Sequence, residues 1–259
     1  GLIRPDTQFY DSGVIEVGGR TIMNWDKRGH GLVTMTDVLA MSLNVGSAYV
    51  STHLGAERFY NYLQRFGFGR PTGVDLDGEV GGTVRKPGDP DWHESDLGTN
   101  SFGQGVAVTP LQMVTAVAAV ANGGALMQPY VVAQRVSGDG EVITAQPAVV
   151  RRPISAETAR TLTEMLVEVV ERQATRAAVP GYRIAGKTGT AQTPIPGGYD
   201  PNSTIASFVG YAPADDPLFI VLVKIDKPRL SPWGSEVAAP VFRRIAEQLF
   251  VLMGIPPQE

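Results

Sequence analysis

Between Arg183 and Gln192 the chain reads Arg-Ile-Ala-Gly-Lys-Thr-Gly-Thr-Ala-Gln, and this stretch constrains the fold more than any other. It reads as a strand carrying a cation, two hydroxyls and a glycine in close succession. Strand side chains alternate between faces, so Lys187 and Gly189 share one side and Thr188 and Thr190 the other. Gly189 has no Cβ, which lets an extended ligand lie close against it. The edge of such a strand can bond a peptide backbone, and the ammonium and hydroxyls suit a carboxylate. Taken alone, a surface strand with an incidental lysine is the plainer account, so the weight of the motif depends on the rest of the chain.

The residues after this strand have a regular pattern. Two more strands are expected at Ile205–Tyr211 and Leu218–Ile225, joined by a turn through Ala212-Pro213-Ala214-Asp215-Asp216-Pro217. A last helix is expected from about Glu236 to Met253, with Val237, Val241, Ile245, Leu249 and Leu252 on its inner face. Three successive strands and a covering helix predict an antiparallel sheet flanked by helices, an α/β or α+β layer fold.

Upstream, residues 1–31 are turn-rich. Val14-Ile15-Glu16-Val17 before Gly18-Gly19 predicts a short hairpin or irregular cover. Thr36 is a candidate cap for a helix through Asp37–Met41, and Asn44 for a second from Val45 to about Leu54, closed by Gly55. A third runs from about Ala56 to Phe66. Gly67 to Gly105 is dense in Gly, Pro, Asp and Thr, and is expected to hold small turns or a functional loop. Thr109-Pro110 starts a helix whose residues Leu111 to Ala121 are small and apolar almost all round, so deep burial is expected. Tyr130–Val136 and Glu141–Thr144 predict a hairpin. Ser155 caps an amphipathic helix bearing Leu162, Met165, Leu166, Val169 and Val170.

Composition narrows the function. The 259 residues suffice for one large domain, and a net charge of −4 argues against a nucleic-acid partner. With no cysteine, neither a disulfide framework nor a thiolate metal site is possible. His30, His53 and His93 lack ligand spacing, so no metal is expected. No apolar run approaches the roughly 18 residues of a membrane span. The chain shows no signal peptide and starts at Gly1, which reads as a piece of a longer chain.

A second polar cluster, Ser42-Leu43-Asn44, falls at the junction of two expected helices. Alone, these residues are plain helix caps. With Lys187-Thr188-Gly189 after them, they match two of the three elements Ser-x-x-Lys, Ser-x-Asn and Lys-Thr-Gly of serine β-lactamases and penicillin-binding proteins. Leu43 in the middle favours the penicillin-binding proteins. Further stretches carry the same likeness: Asn24-Trp25-Asp26, Phe66-Gly67-Phe68-Gly69 with Thr72-Gly73, and Ser101-Phe102-Gly103-Gln104-Gly105 before Thr109-Pro110-Leu111-Gln112. In order and over nearly the whole chain, the sequence resembles the transpeptidase domain of class B penicillin-binding proteins.

One element is missing. The lysines are Lys27, Lys86, Lys187, Lys224 and Lys227, and none has a serine three residues before it. Thr83-Val84-Arg85-Lys86 is the nearest match and is read as surface. The resemblance therefore implies that the nucleophilic serine and its lysine lie upstream of Gly1. Residues 1–259 are then a single, N-terminally truncated transpeptidase domain, with sheet and helical subdomain incomplete and the span alone inactive. Its first strands and nucleophile helix would lie in that upstream segment.

The resemblance also implies roles. Ser42, Asn44 and Lys187 would be catalytic, while Thr188, Gly189 and Thr190 would bind substrate, and no cofactor is called for. Trp92 and Trp233 are read either as flanks of the cleft or as plain cover. The partners would be peptidoglycan stem peptides ending in D-Ala-D-Ala, β-lactams, a glycosyltransferase and other cell-wall synthesis proteins. The domain would sit on the outer side of a bacterial cytoplasmic membrane, anchored elsewhere. A β-lactamase is the nearest enzymatic rival, since Glu57-Arg58-Phe59-Tyr60-Asn61 has the spacing of a deacylating glutamate and its asparagine; it lies on a helix close behind Ser-x-Asn, which counts against it. A catalytically silent β-lactam sensor or scaffold is the alternative from another class.

Overall fold

The computed structural model describes residues 2–258. Strand β1 (Gln8–Asp11) is followed by β2 (Val14–Val17), β3 (Arg20–Met23) and β4 (Gly31–Thr34). β2 and β3 form the expected hairpin about Gly18-Gly19, while β1 pairs antiparallel with β4. Three helices come next: α1 (Met35–Ala40), α2 (Asn44–Leu54) and α3 (Ala56–Arg65).

The start of α1 departs from expectation. Thr34, not Thr36, is its cap: Thr34 Oγ1 accepts from the Asp37 amide at 3.1 Å, and Asp37 Oδ2 accepts from the Thr34 amide at 2.9 Å. A cap at Thr36 would place Leu39 at the reciprocating position, where no side-chain acceptor exists. Arg172 Nη2 also donates to Asp37 Oδ1 at 2.6 Å, and with the Thr34 hydroxyl bond first among the causes, the Asp37 carboxyl is held below its usual pKa.

The Gly-rich middle is more structured than its composition suggests. It holds β5 (Thr83–Val84), a helix α4 (Glu94–Asn100) that the sequence does not announce, and β6 (Val106–Ala107), with β5 paired to β6. Helix α5 (Pro110–Ala121) begins with the capping box of Thr109 and Gln112. Only Gln112, Ala116 and Ala119 of α5 are fully buried, so it is a half-buried helix and not the deeply buried one expected. Strand β7 (Leu126–Met127), the small hairpin β8 (Gln134–Val136) and β9 (Val142–Thr144), and β10 (Val149–Arg151) lead to α6 (Ala156–Arg172), capped by Ser155.

The C-terminal sheet is antiparallel in the order β11 (Ala185–Ile195), β12 (Gly198–Ala212), β13 (Phe219–Asp226). Two helices close the fold, α7 (Gly234–Val237) and α8 (Ala239–Leu252), where one was expected; the break falls at Ala238, with Pro240 in the first turn of α8. The expected inner face of α8 is also wrong. Ala239, Phe242, Ala246 and Phe250 are buried, whereas Val241, Ile245 and Leu252 are exposed. Both stripes have helical spacing, so periodicity cannot choose between them. Small Ala239 and Ala246 let the helix approach the sheet closely enough for Phe242 to meet Phe208, ring centroids 4.7 Å apart. Truncating either phenylalanine to alanine should cost about 3–5 kcal/mol.

A candidate peptide-binding cleft

The C-terminal end of α1 builds one wall. Leu43 N–H donates to Val38 C=O at 3.0 Å and Ser42 N–H to Leu39 C=O at 3.3 Å, the paired bonds of a Schellman helix stop. Leu43 is fully buried against Val38, which supplies the apolar contact such a stop favours. The left-handed residue of this stop is Ser42, with φ +57°. Glycine is the usual occupant, and a residue with a Cβ costs about 1–2 kcal/mol there. The strain orients a hydroxyl toward the facing strand.

That strand is β11. Lys187 Nζ donates to Ser42 Oγ at 2.8 Å across 145 residues of sequence, and also to its neighbour's carbonyl, Thr188 C=O, at 3.1 Å. Among the described residues Lys187 forms no ion pair. Burial of its ammonium lowers its pKa to about 8. The two clusters that the sequence set far apart are thus joined by a direct hydrogen bond.

The remaining predicted residues complete the cleft by a ring of contacts. Asn44 is the first residue of α2 and not its cap: its Nδ2 donates to Met23 C=O at 3.0 Å. Two residues on from Met23, Trp25 packs edge-on against Trp233 with centroids 5.4 Å apart. Next to Trp233, the Gly234 amide donates to Thr190 Oγ1 at 3.1 Å. Asn44 and Thr190 therefore belong to walls tied together at both ends. The hairpin of β11 and β12 adds a third tie, where Tyr199 Oη accepts from the Gly105 amide at 2.9 Å.

The alternation expected of β11 holds in its register. Lys187 pairs with Val209 and Gly189 with Ser207, on the side of Ser42, while Thr188 pairs with Phe208 and Thr190 with Ala206. A Cβ on Gly189 would lie 2.5 Å from Ser207 Oγ. The absent side chain thus also makes room for Ser207 of the neighbouring strand.

Trp25 and Asn24 matter to this wall, and their only signal in the sequence is membership of the Asn24-Trp25-Asp26 stretch. Of the two tryptophans that could flank the cleft, Trp233 stands beside it, whereas Trp92 lies elsewhere and donates to Tyr60 Oη at 2.8 Å. Glu57 is exposed on the first turn of α3, and Lys86 pairs on the surface with Asp89 at 3.5 Å.

The family model described as the penicillin binding protein transpeptidase domain matches residues 1–247. Stage V sporulation protein D of Bacillus subtilis is 39% identical over 259 residues, covering 97% of this chain and 39% of the relative. The penicillin-binding protein PbpB of Mycobacterium tuberculosis is 37% identical over 271 residues, covering 99% of this chain and 39% of the relative. The chain thus spans about two fifths of the length of these relatives. The crystal structure of penicillin binding protein 3 from the same bacterium, complexed with ampicillin, superposes with a TM-score of 0.90 at 35% identity, over 99% of this chain and 59% of that one.

Proposed function

The chain belongs to the penicillin-binding protein transpeptidase family, and from that premise we propose that it forms most of the active domain of a peptidoglycan D,D-transpeptidase acylated by β-lactams. The observation that carries this reading is the Lys187–Ser42 hydrogen bond, which joins Ser-x-Asn to Lys-Thr-Gly in one cleft. Because none of the five lysines follows a serine at the required spacing, the nucleophile comes from chain outside these residues. The β13 edge, unpaired among the described residues, and the exposed apolar stripe of α8 support docking of that same segment.

In this reading the incoming serine attacks the carbonyl carbon of the penultimate D-Ala, its proton passing to its own lysine. Ser42 relays a proton toward the nitrogen of the departing D-Ala, and Lys187 keeps the serine's lysine neutral by repulsion. The charged Lys187, held against Ser42, attracts the terminal carboxylate by its positive potential, the hydroxyls of Thr188 and Thr190 hold that carboxylate at the edge of β11, and Asn44 bonds the substrate amide. The amide of Thr190 supplies half of an oxyanion hole, worth about 3 kcal/mol per donor. An amine of a second stem peptide then attacks the ester and releases the serine.

Such a domain works on the outer face of a bacterial membrane beside a glycosyltransferase. Among the described residues no helix is long and apolar enough to cross that membrane. The test is labelled-penicillin uptake by the protein carrying its upstream segment and by residues 1–259 alone. Stoichiometric, stable acylation of the first and none of the second is expected. Repeated turnover would indicate a β-lactamase, and no uptake by the longer chain would favour a silent sensor or scaffold.

A further inference from the structure

Helix N-termini leave amides without partners, and these are normally met by a side chain at the cap position. Helix α2 cannot do this for itself. Its cap residue is Leu43, buried and apolar; Ser42 is engaged by Lys187, and Asn44 Nδ2 by Met23 C=O. The amide of Val45, second residue of the helix, donates instead to Asn24 Oδ1 at 3.1 Å. Asn24 is 2% exposed and itself held: its Nδ2 donates to Asp11 Oδ2 at 2.7 Å and to Arg28 C=O at 2.9 Å. Asp11, 1% exposed, also accepts from the amides of Gly13 at 3.0 Å and His30 at 3.2 Å. On the other side of Ser42, Trp25 Nε1 donates to Met41 C=O at 3.1 Å. Three consecutive residues, Met23, Asn24 and Trp25, thus hold the chain both before and after the strained serine.

We propose that Asn24 is a positioning residue for the Ser42 hydroxyl: it caps α2 from outside the helix, which releases Ser42 and Asn44 from capping, so that Ser42 Oγ meets Lys187 while Asn44 Nδ2 holds Met23 C=O and its Oδ1 is spared the helix amides. The inference rests on the transpeptidase reading and extends it to a residue that does not touch substrate. An internal cap at this junction would compete for the same hydroxyl and amide that chemistry requires. Borrowing the acceptor from a rigid buried Asp11–Asn24 pair removes that competition.

The test uses the protein with its upstream segment and separates the two steps of penicillin acylation, initial binding and covalent bond formation. Asn24→Ala should slow the covalent step about tenfold or more and leave initial binding within about threefold. Its Lys187, followed by NMR titration, should move up from about 8 toward an ordinary lysine as water reaches it. Asn24→Asp keeps the acceptor for Val45 but sets a carboxylate against Asp11. It should melt no higher than Asn24→Ala yet recover at least about threefold of the lost rate. A wild-type covalent rate and unmoved Lys187 titration in Asn24→Ala would overturn the proposal. So would rates that follow melting temperature across the two variants. If the wild-type protein takes up no penicillin, the transpeptidase reading fails while the Lys187 titration still decides the role of Asn24. Should Asn24→Ala not fold, Trp25→Phe removes only the half-exposed indole bond to Met41 and should slow the covalent step about threefold; no change there would count against the proposal.

Discussion

The two outer strands of the C-terminal sheet, each without a further partner strand among the described residues, differ in character. The β11 edge presents Lys187, Thr188, Gly189 and Thr190, and is tied to Ser42 by a hydrogen bond and to Gly234 by another. The outer strand β13 is built from Phe219, Ile220, Val221, Leu222 and Val223, half-buried or buried against helices on the two faces of the sheet, and no strand among the described residues pairs with its outer backbone edge. Nearby α8 turns Val241, Ile245 and Leu252 to water. A polar edge holding preset donors is suited to an exchangeable peptide, which keeps its hydration cost low when the site is empty. An unpaired backbone edge beside the exposed apolar residues of α8 is an aggregation template, so it is suited to a permanent neighbour. One sheet thus carries a polar edge that fits the proposed recognition and, on its other side, an unpaired edge that fits the proposed docking of the missing segment.

The largest expected effect breaks the polar edge. In the protein with its upstream segment, Lys187→Ala and Ser42→Ala should each slow acylation by labelled penicillin about a hundredfold. Unchanged rates in both would remove the site from this cleft. A second, roughly tenfold effect comes from pH. Lys187 is a cation below about 8 and neutral above it, so acylation by a carboxylate-bearing β-lactam should fall about tenfold between pH 7 and pH 9, relative to a ligand lacking the carboxylate. Its folded pKa lies below the unfolded value, so the folded state binds fewer protons in the interval between the two. The Lys187 contribution to stability therefore rises as pH climbs from about 8 toward 10.5, opposite in direction to the loss of recognition. Melting curves across that interval check the sign.

The unpaired edge is tested by supplying its neighbour. Residues 1–259 alone should self-associate as concentration rises, and adding the upstream segment should give a monomer melting about 5 °C higher or more. A monomeric, sharply melting 259-residue span would show that the edge needs no cover. The smallest effect separates stability from chemistry at one residue. Ser42→Gly should relieve the left-handed strain and stabilise the fold by about 0.5–1 kcal/mol, while acylation drops as in Ser42→Ala. Loss of both stability and rate would mean that the hydroxyl also holds the turn.

Much of this was legible in the residues themselves. The Thr109-Pro110 start, the Ser155 cap, the three C-terminal strands and the pairing of Ser-x-Asn with Lys-Thr-Gly all rest on local chemistry or on motif order, and the fold class comes from them. Errors gathered where two local answers were equally good. Thr34 and Thr36 can both cap a helix, and only Asp37 at the reciprocating position decides. α8 carries two apolar stripes, and only the close approach to Phe208 selects Phe242. Asn44 makes an excellent cap on paper and is spared that role by Asn24, twenty residues away in sequence.

By itself, then, the sequence determined most of the helices and the three C-terminal strands in their order, the alternation that sets Lys187 apart from Thr188, and the family to which the chain belongs, because these depend on neighbouring residues and short spacings. Tertiary structure alone decided which hydroxyl meets which ammonium, which stripe of α8 is buried, and which side chain caps α2. Those outcomes depend on contacts between residues distant along the chain, where the cost of burying or straining one group is set against partners that local sequence does not contain.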